Sequence, residues 1–146
     1  MSSSYISSEL RKRVTERASN ACEYCLIPVL FGFATPYHID HIISEKHGGA
    51  TNLDNLALSC PACNLNKGSD IATYLSEEEI TVRLYNPRKD AWTSHFEISD
   101  NGALIPLSNI AKGTIQLLNL NEQEYCNLSE ALMQGKVQLQ PSPKSK

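Results

Sequence analysis

The sequence predicts an α+β fold. Its expected centre is a β-β-α core stapled by a four-cysteine metal site, with a helix before it and a β-hairpin and helical extension after it. Three observations predict this: apolar residues recur every four positions near the amino terminus, two short β-rich stretches flank a loop with two glycines, and a Cys-x-x-Cys pair lies on each side of those stretches.

The first predicted element is an amphipathic helix over residues 8–19. Leu10, Val14 and Ala18 are spaced four apart there, so they share one face of a helix. Residues 26–36, which follow the first cysteine pair, contain two prolines and a glycine and predict an irregular loop.

The core is predicted as two strands and a helix. Residues 37–43 and 53–59 read as short strands, and the glycine pair between them requires a loop over 44–52. The helix is expected over 61–70 and begins at Pro61, because proline is tolerated in the first turn of a helix.

Beyond the core the signals are weaker. We expect a strand over residues 80–85 and a hairpin whose strands are 95–98 and 103–106. Two helices are expected after it, over 110–118 and 122–133. The chain is thus predicted to have three parts: a core with its amino-terminal helix (1–75), an α/β extension packed on that core (76–135) and a flexible tail (136–146).

The composition is that of an ordinary globular protein. Of the 146 residues, 41% are apolar, and no apolar stretch approaches the roughly 20 residues that cross a bilayer, so no membrane association is expected. The first residues lack the pattern of an export signal, which predicts a cytoplasmic protein with reduced thiols that favour metal binding over disulfides. The net charge of −3 argues mildly against a sequence-blind nucleic-acid coat.

The two cysteine pairs predict one structural zinc site. Cys22 with Cys25 and Cys60 with Cys63 have the spacing of zinc knuckles, although 34 residues separate the pairs. Four thiolates would fill the tetrahedral shell of Zn²⁺ and leave no open position, so the ion would be structural. The alternative is four buried cysteines without a common role.

The residues between the pairs predict phosphodiester hydrolysis. His41 is the candidate general base, because an imidazole titrates near neutrality. Asp40 and Asn64 offer oxygen ligands for one catalytic divalent ion, and Asn55 suits a positioning role in the loop. Side chains of adjacent strand residues point to opposite faces, so a strand end or bulge must bring both Asp40 and His41 to the site. Taken singly, Asn55 could be a turn residue and Asn64 a helix cap.

These residues resemble a known family, the HNH endonucleases of the zinc-containing ββα-metal type. The motifs that carry the resemblance are Asp40-His41, Gly48-Gly49, Asn55-Leu56, Cys60-Pro61-Ala62-Cys63-Asn64 and Lys67-Gly68. The resemblance implies that His41 is the general base that activates water, that Asn55 orients His41, and that Asp40 and Asn64 hold the catalytic ion. Many members have histidine where this chain has Asn64, and a neutral oxygen there favours Mg²⁺ or Mn²⁺ over ions that prefer nitrogen.

Three further residues are candidates for substrate binding. His38 shares a strand face with Asp40 and could touch phosphate, metal or neither, and Lys67 and Arg88 could contact phosphate or simply be solvated surface cations.

The sequence thus predicts a metal-dependent endonuclease that acts on DNA, with RNA not excluded. The alternative from another class is a non-catalytic zinc module that binds nucleic acid or a protein, which would need the cysteines but not Asp40, His41 or Asn64. A homodimer formed through the helical extension, and a separate partner protein in a defence or phage system, are left open.

Overall fold

The computed structural model describes residues 5–31 and 35–141. The predicted loop at 26–36, the predicted tail at 136–146 and the start of the chain therefore lie partly outside the described residues. None of the helices within the described part of the chain is long and apolar enough to cross a membrane.

The described residues form small antiparallel sheets and helices, which confirms the predicted α+β class. The helices are α1 (Ser8–Arg17), α2 (Pro61–Lys67), α3 (Trp92–His95), α4 (Asn109–Leu118) and α5 (Gln123–Gln134). The strands are β1 (His38–His41), β2 (Leu56–Ser59), β3 (Ala72–Leu75), β4 (Ile80–Arg83), β5 (Phe96–Ile98) and β6 (Leu104–Pro106).

Strands β1 and β2 form the antiparallel hairpin of the core. His38 lies opposite Ser59 and His41 opposite Leu56, while α1 packs against β2 and α2 against β1. The second strand begins three residues later than predicted, because the Asn52 side chain accepts a hydrogen bond from the Asp54 backbone and caps a short 3₁₀ turn at Leu53–Asn55.

Helix α2 begins and ends at identifiable signals. The Cys60 sulfur accepts a hydrogen bond from the Cys63 backbone at 3.4 Å, and Pro61 occupies the first turn as expected. The helix ends three residues earlier than predicted because Gly68 leaves helical conformation with a φ of 51°.

The residues that follow α2 form two hairpins, β3–β4 and β5–β6, and the first of them spans the predicted boundary at residue 75; α4 packs against β3, β4 and β6. The extension shares one apolar core with the ββα unit. Trp92 donates its indole N–H to the backbone oxygen of Tyr24 at 3.1 Å, and Asn66 donates to that of Leu118 at 2.8 Å. The extension is therefore held against the cysteine-containing core by hydrogen bonds and apolar contacts.

Candidate functional site

The four paired cysteines form one buried cluster. Their sulfur atoms all lie within 4.8 Å of one another, and all four thiols are free. The Cys25 and Cys60 sulfurs are 3.8 Å apart, which matches the edge of about 3.8 Å expected for a tetrahedron with Zn–S bonds of about 2.3 Å. The cluster therefore fits a metal such as zinc.

The two knuckles have the same local construction. In each knuckle the first sulfur accepts a backbone N–H three residues later: Cys22 from Cys25 at 3.5 Å, and Cys60 from Cys63 at 3.4 Å. Such N–H donors stabilise negative charge on sulfur. Leu26 completes the first knuckle in a left-handed conformation, with a φ of 68°.

A cleft of about 460 Å³ opens beside β1 and α2. It is lined by four of the residues predicted for the site: His38, Asp40, His41 and Asn64. His41 is the last residue of β1, so the strand ends where Asp40 and His41 both line the cleft. Of these side chains, those of Asp40 and His41 are buried, that of Asn64 is half-buried and that of His38 is exposed.

Asp40 lies at the floor of the cleft in a buried polar network. Its Oδ2 accepts a hydrogen bond from the Tyr24 hydroxyl at 2.8 Å, and the Lys67 ammonium lies 3.1 Å from Oδ2 and 3.3 Å from Oδ1. Burial raises the pKa of Asp40, and the positive charge of Lys67 opposes that rise. Because a carboxylate offers about four lone-pair positions and three are engaged here, Oδ1 keeps one for a cation.

Lys67 departs from its predicted surface location. It is 1% exposed and also donates to the backbone oxygen of His41 at 3.0 Å, so the solvated alternative is wrong. A phosphate contact would require the ammonium to leave Asp40. Arg88 is likewise engaged inside the protein: it forms an ion pair with the buried Glu23, whose other carboxylate oxygen accepts the Leu58 backbone N–H.

His41 has a side-chain partner that the sequence did not indicate. Its Nε2 lies 2.8 Å from the Thr51 hydroxyl, which in turn lies 3.4 Å from a carboxylate oxygen of Glu45. Glu45 also lines the cleft. Threonine and glutamate in a glycine-containing loop carry no sequence signal of such a role, so only the folded loop reveals it.

Asn55 closes the loop that carries these partners. Its Oδ1 accepts the Ile43 backbone N–H at 2.9 Å, and its Nδ2 donates to the backbone oxygens of Ile43 and Ala50, both at 2.8 Å. The Asn55 amide therefore ties the two ends of the loop together. Gly49 is needed for this close approach, because a Cβ there would lie 1.7 Å from the Ile43 oxygen.

Replacing Gly49 with alanine is expected to disrupt the loop. The added methyl group would overlap Ile43 and lie 2.7 Å from Asn55 Nδ2, so we expect a loss of about 1–3 kcal/mol or more in the free energy of unfolding, measured by urea denaturation. The matched control is Gly48→Ala, where the Cβ meets nothing within 4 Å and only the φ of +89° is unfavourable. Equal losses for the two variants would contradict the close-contact argument.

Comparison with protein-family models gives a match over the core. Residues 22–70 match the family model described as HNH endonuclease, which confirms the resemblance predicted from the motifs over roughly a third of the chain. No significant match was found among curated proteins or among solved structures. The matched segment contains both knuckles, the loop and the cleft residues, and so indicates a nuclease-type function for this part of the molecule.

Proposed function

We propose that the chain is a metal-dependent endonuclease that hydrolyses phosphodiester bonds of DNA. The observation that carries the proposal is the cleft, where His41, Asp40 and Asn64 line one wall of a ββα unit fixed by the four-cysteine cluster. The match of residues 22–70 to the HNH endonucleases supports the same reading, since enzymes of that family act on nucleic acids.

Each residue of the cleft has a chemical task in this proposal. His41 takes a proton from the attacking water, and Asp40 and Asn64 would hold one divalent ion through oxygen atoms. When bound, that ion supplies positive charge to the phosphate as negative charge develops on it. His38, which is exposed and lines the cleft, would contact the phosphate backbone.

The donor set favours particular ions. A carboxylate and a neutral amide oxygen suit Mg²⁺ or Mn²⁺, whereas the all-sulfur cluster suits Zn²⁺. The two metal sites should therefore load independently from a mixture of ions. The homodimer, the partner protein and the cytoplasmic location stay predictions of the sequence.

One observation favours the non-catalytic alternative. The Asp40 carboxylate already has a positive partner in Lys67, which partly neutralises the charge that would attract a divalent ion. A zinc module that binds nucleic acid or a protein without cleaving would keep this arrangement. Cleavage activity decides between the two functions.

The test is cleavage of supercoiled plasmid with Mg²⁺ and with Mn²⁺. We expect the wild type to nick the plasmid and His41→Ala to lower the rate by about 10²–10⁴-fold, because the general base is lost. The matched control is His47→Ala, a change of an exposed histidine in the same loop, which should cleave at nearly the wild-type rate.

Zinc content and thermal unfolding of each protein show whether the variants remain folded. Normal cleavage by a zinc-loaded His41→Ala protein would refute the role of His41. Failure of the folded, zinc-loaded wild type to cleave with either ion would instead favour the binding module.

A further inference from the structure

The contact between His41 and Thr51 constrains where the imidazole carries its proton. Thr51 Oγ1 lies 2.8 Å from His41 Nε2 and 3.4 Å from Glu45 Oε2. A threonine hydroxyl has one proton to donate and two lone pairs to accept with. It can therefore donate to the histidine or to the carboxylate, but not to both.

The charge of Glu45 decides between these arrangements. An ionised carboxylate has no proton to donate, so the 3.4 Å contact between the two oxygens, which is long for a hydrogen bond, is favourable only with the Thr51 proton pointing toward Glu45. Thr51 Oγ1 then faces His41 as an acceptor, and Nε2 must carry a hydrogen. The neutral imidazole has one N–H, which leaves Nδ1 with the lone pair.

We propose that Thr51 and Glu45 are positioning residues that hold His41 in the Nε2–H tautomer and so make Nδ1 the atom that accepts the proton of water. The chemical consequence rests on the proposed nuclease function, whereas the tautomer itself does not. As water attacks, its O–H bond breaks and the proton joins Nδ1. Nε2 keeps its hydrogen bond to Thr51, and the Glu45 carboxylate stabilises the resulting imidazolium through that hydroxyl.

The loop brings Glu45 and Thr51 together beside the imidazole of His41. These two residues lie on opposite sides of Gly48-Gly49, and the Asn55 side chain hydrogen-bonds the backbone of Ile43, two residues before Glu45, and of Ala50, directly before Thr51. His41 is 7% exposed, so few alternative orientations of the ring are open to it. Asn55 therefore helps to position the imidazole indirectly, because it holds the loop whose Thr51 hydroxyl contacts His41.

The first test reads the tautomer directly by ¹⁵N NMR of the zinc-loaded protein without other divalent ions. We expect the His41 signals of the wild type to show a hydrogen on Nε2, and Thr51→Ser to keep this pattern because it keeps the hydroxyl. Thr51→Val, which has the same shape but no hydroxyl, should give a mixture of tautomers. A wild-type hydrogen on Nδ1, or an unchanged pattern in Thr51→Val, would overturn the proposal.

The second test measures plasmid cleavage by the same proteins. Thr51→Val is expected to lower kcat by about 10²-fold with little change in KM, because the base is misplaced while substrate contacts remain. Thr51→Ser should restore most of kcat, and Glu45→Gln should fall between the two. Equal kcat values for Thr51→Val and the wild type would overturn the positioning role.

The two tests separate this proposal from the proposed function. Suppose that the wild type does not cleave, that its His41 carries the hydrogen on Nε2, and that Thr51→Val loses this preference. The nuclease assignment then fails, while the proposed arrangement of His41, Thr51 and Glu45 stands. If the wild type cleaves and its tautomer does not depend on Thr51, the nuclease assignment stands and this proposal fails.

Discussion

Cys60→Ala is expected to abolish zinc binding and to unfold the core. Cys60 is fully buried, caps α2 and supplies the first sulfur of the second knuckle, so its loss removes a candidate metal ligand and a helix cap together. Structural zinc contributes about 10–16 kcal/mol to small zinc-binding peptides, which equals or exceeds the whole stability of a typical domain. We expect no cooperative thermal transition and no bound zinc by metal analysis.

The matched control is Cys126→Ala. Cys126 is also buried, at 8% exposure, but lies on α5 outside the four-sulfur cluster. The Cys126→Ala protein should keep its zinc and lose only about 1 kcal/mol of unfolding free energy, because the substitution leaves a small cavity. A zinc-free Cys60→Ala protein that unfolds like Cys126→Ala would show that the metal contributes little to the fold. The same conclusion would follow if a chelator removed zinc without lowering the melting temperature.

Much of the fold could be predicted because its signals are local. The spacing of Leu10, Val14 and Ala18 indicated α1, and the turn at 99–102 indicated the β5–β6 hairpin. Strand β3 was missed although strands of the same length were predicted, because Ala72-Thr73-Tyr74-Leu75 shows no clear alternation of apolar and polar residues and its conformation depends on pairing with β4. Helix α3 was missed because a four-residue helix is too short to show a helical period and depends on the packing of Trp92.

The candidate site could be predicted only in part. Cysteines in two spaced pairs, and an adjacent aspartate and histidine, are informative by residue type alone. The contacts of Tyr24 and Thr51 carry no such signal, and Lys67 was predicted as a possible phosphate contact and not as a partner of Asp40. Their roles depend on contacts across 16, 27 and 10 positions of the chain, which only the folded structure brings together.

The Lys67–Asp40 pair is a further feature that no local pattern indicated, and it has a large expected effect on stability. Both side chains are buried, at 1% and 5% exposure. Lys67→Met removes the positive charge and, among the described residues, leaves the buried carboxylate with the Tyr24 hydroxyl as its remaining hydrogen-bond partner. Breaking a buried ion pair from one side typically costs about 3–5 kcal/mol, and we expect a loss of this size in the free energy of unfolding by urea denaturation.

A double-mutant cycle isolates the contribution of the pair. Asp40→Asn retains an oxygen for the Tyr24 hydroxyl but removes the negative charge, so it leaves the Lys67 ammonium unpaired. The double variant has neither charge and should be more stable than the sum of the two single losses predicts. Strictly additive losses would show that the two charges do not interact in the folded protein.

The control for this cycle is an exposed ion pair in the extension. Lys112 pairs with Glu78 at the surface, where its side chain is 48% exposed, so Lys112→Met should leave the stability unchanged within error. If Lys112→Met and Lys67→Met had the same effect, burial would not be the cause of the expected loss. A much larger loss of unfolding free energy for Lys67→Met than for Lys112→Met would instead show that burial makes the loss of the Lys67–Asp40 pair costly.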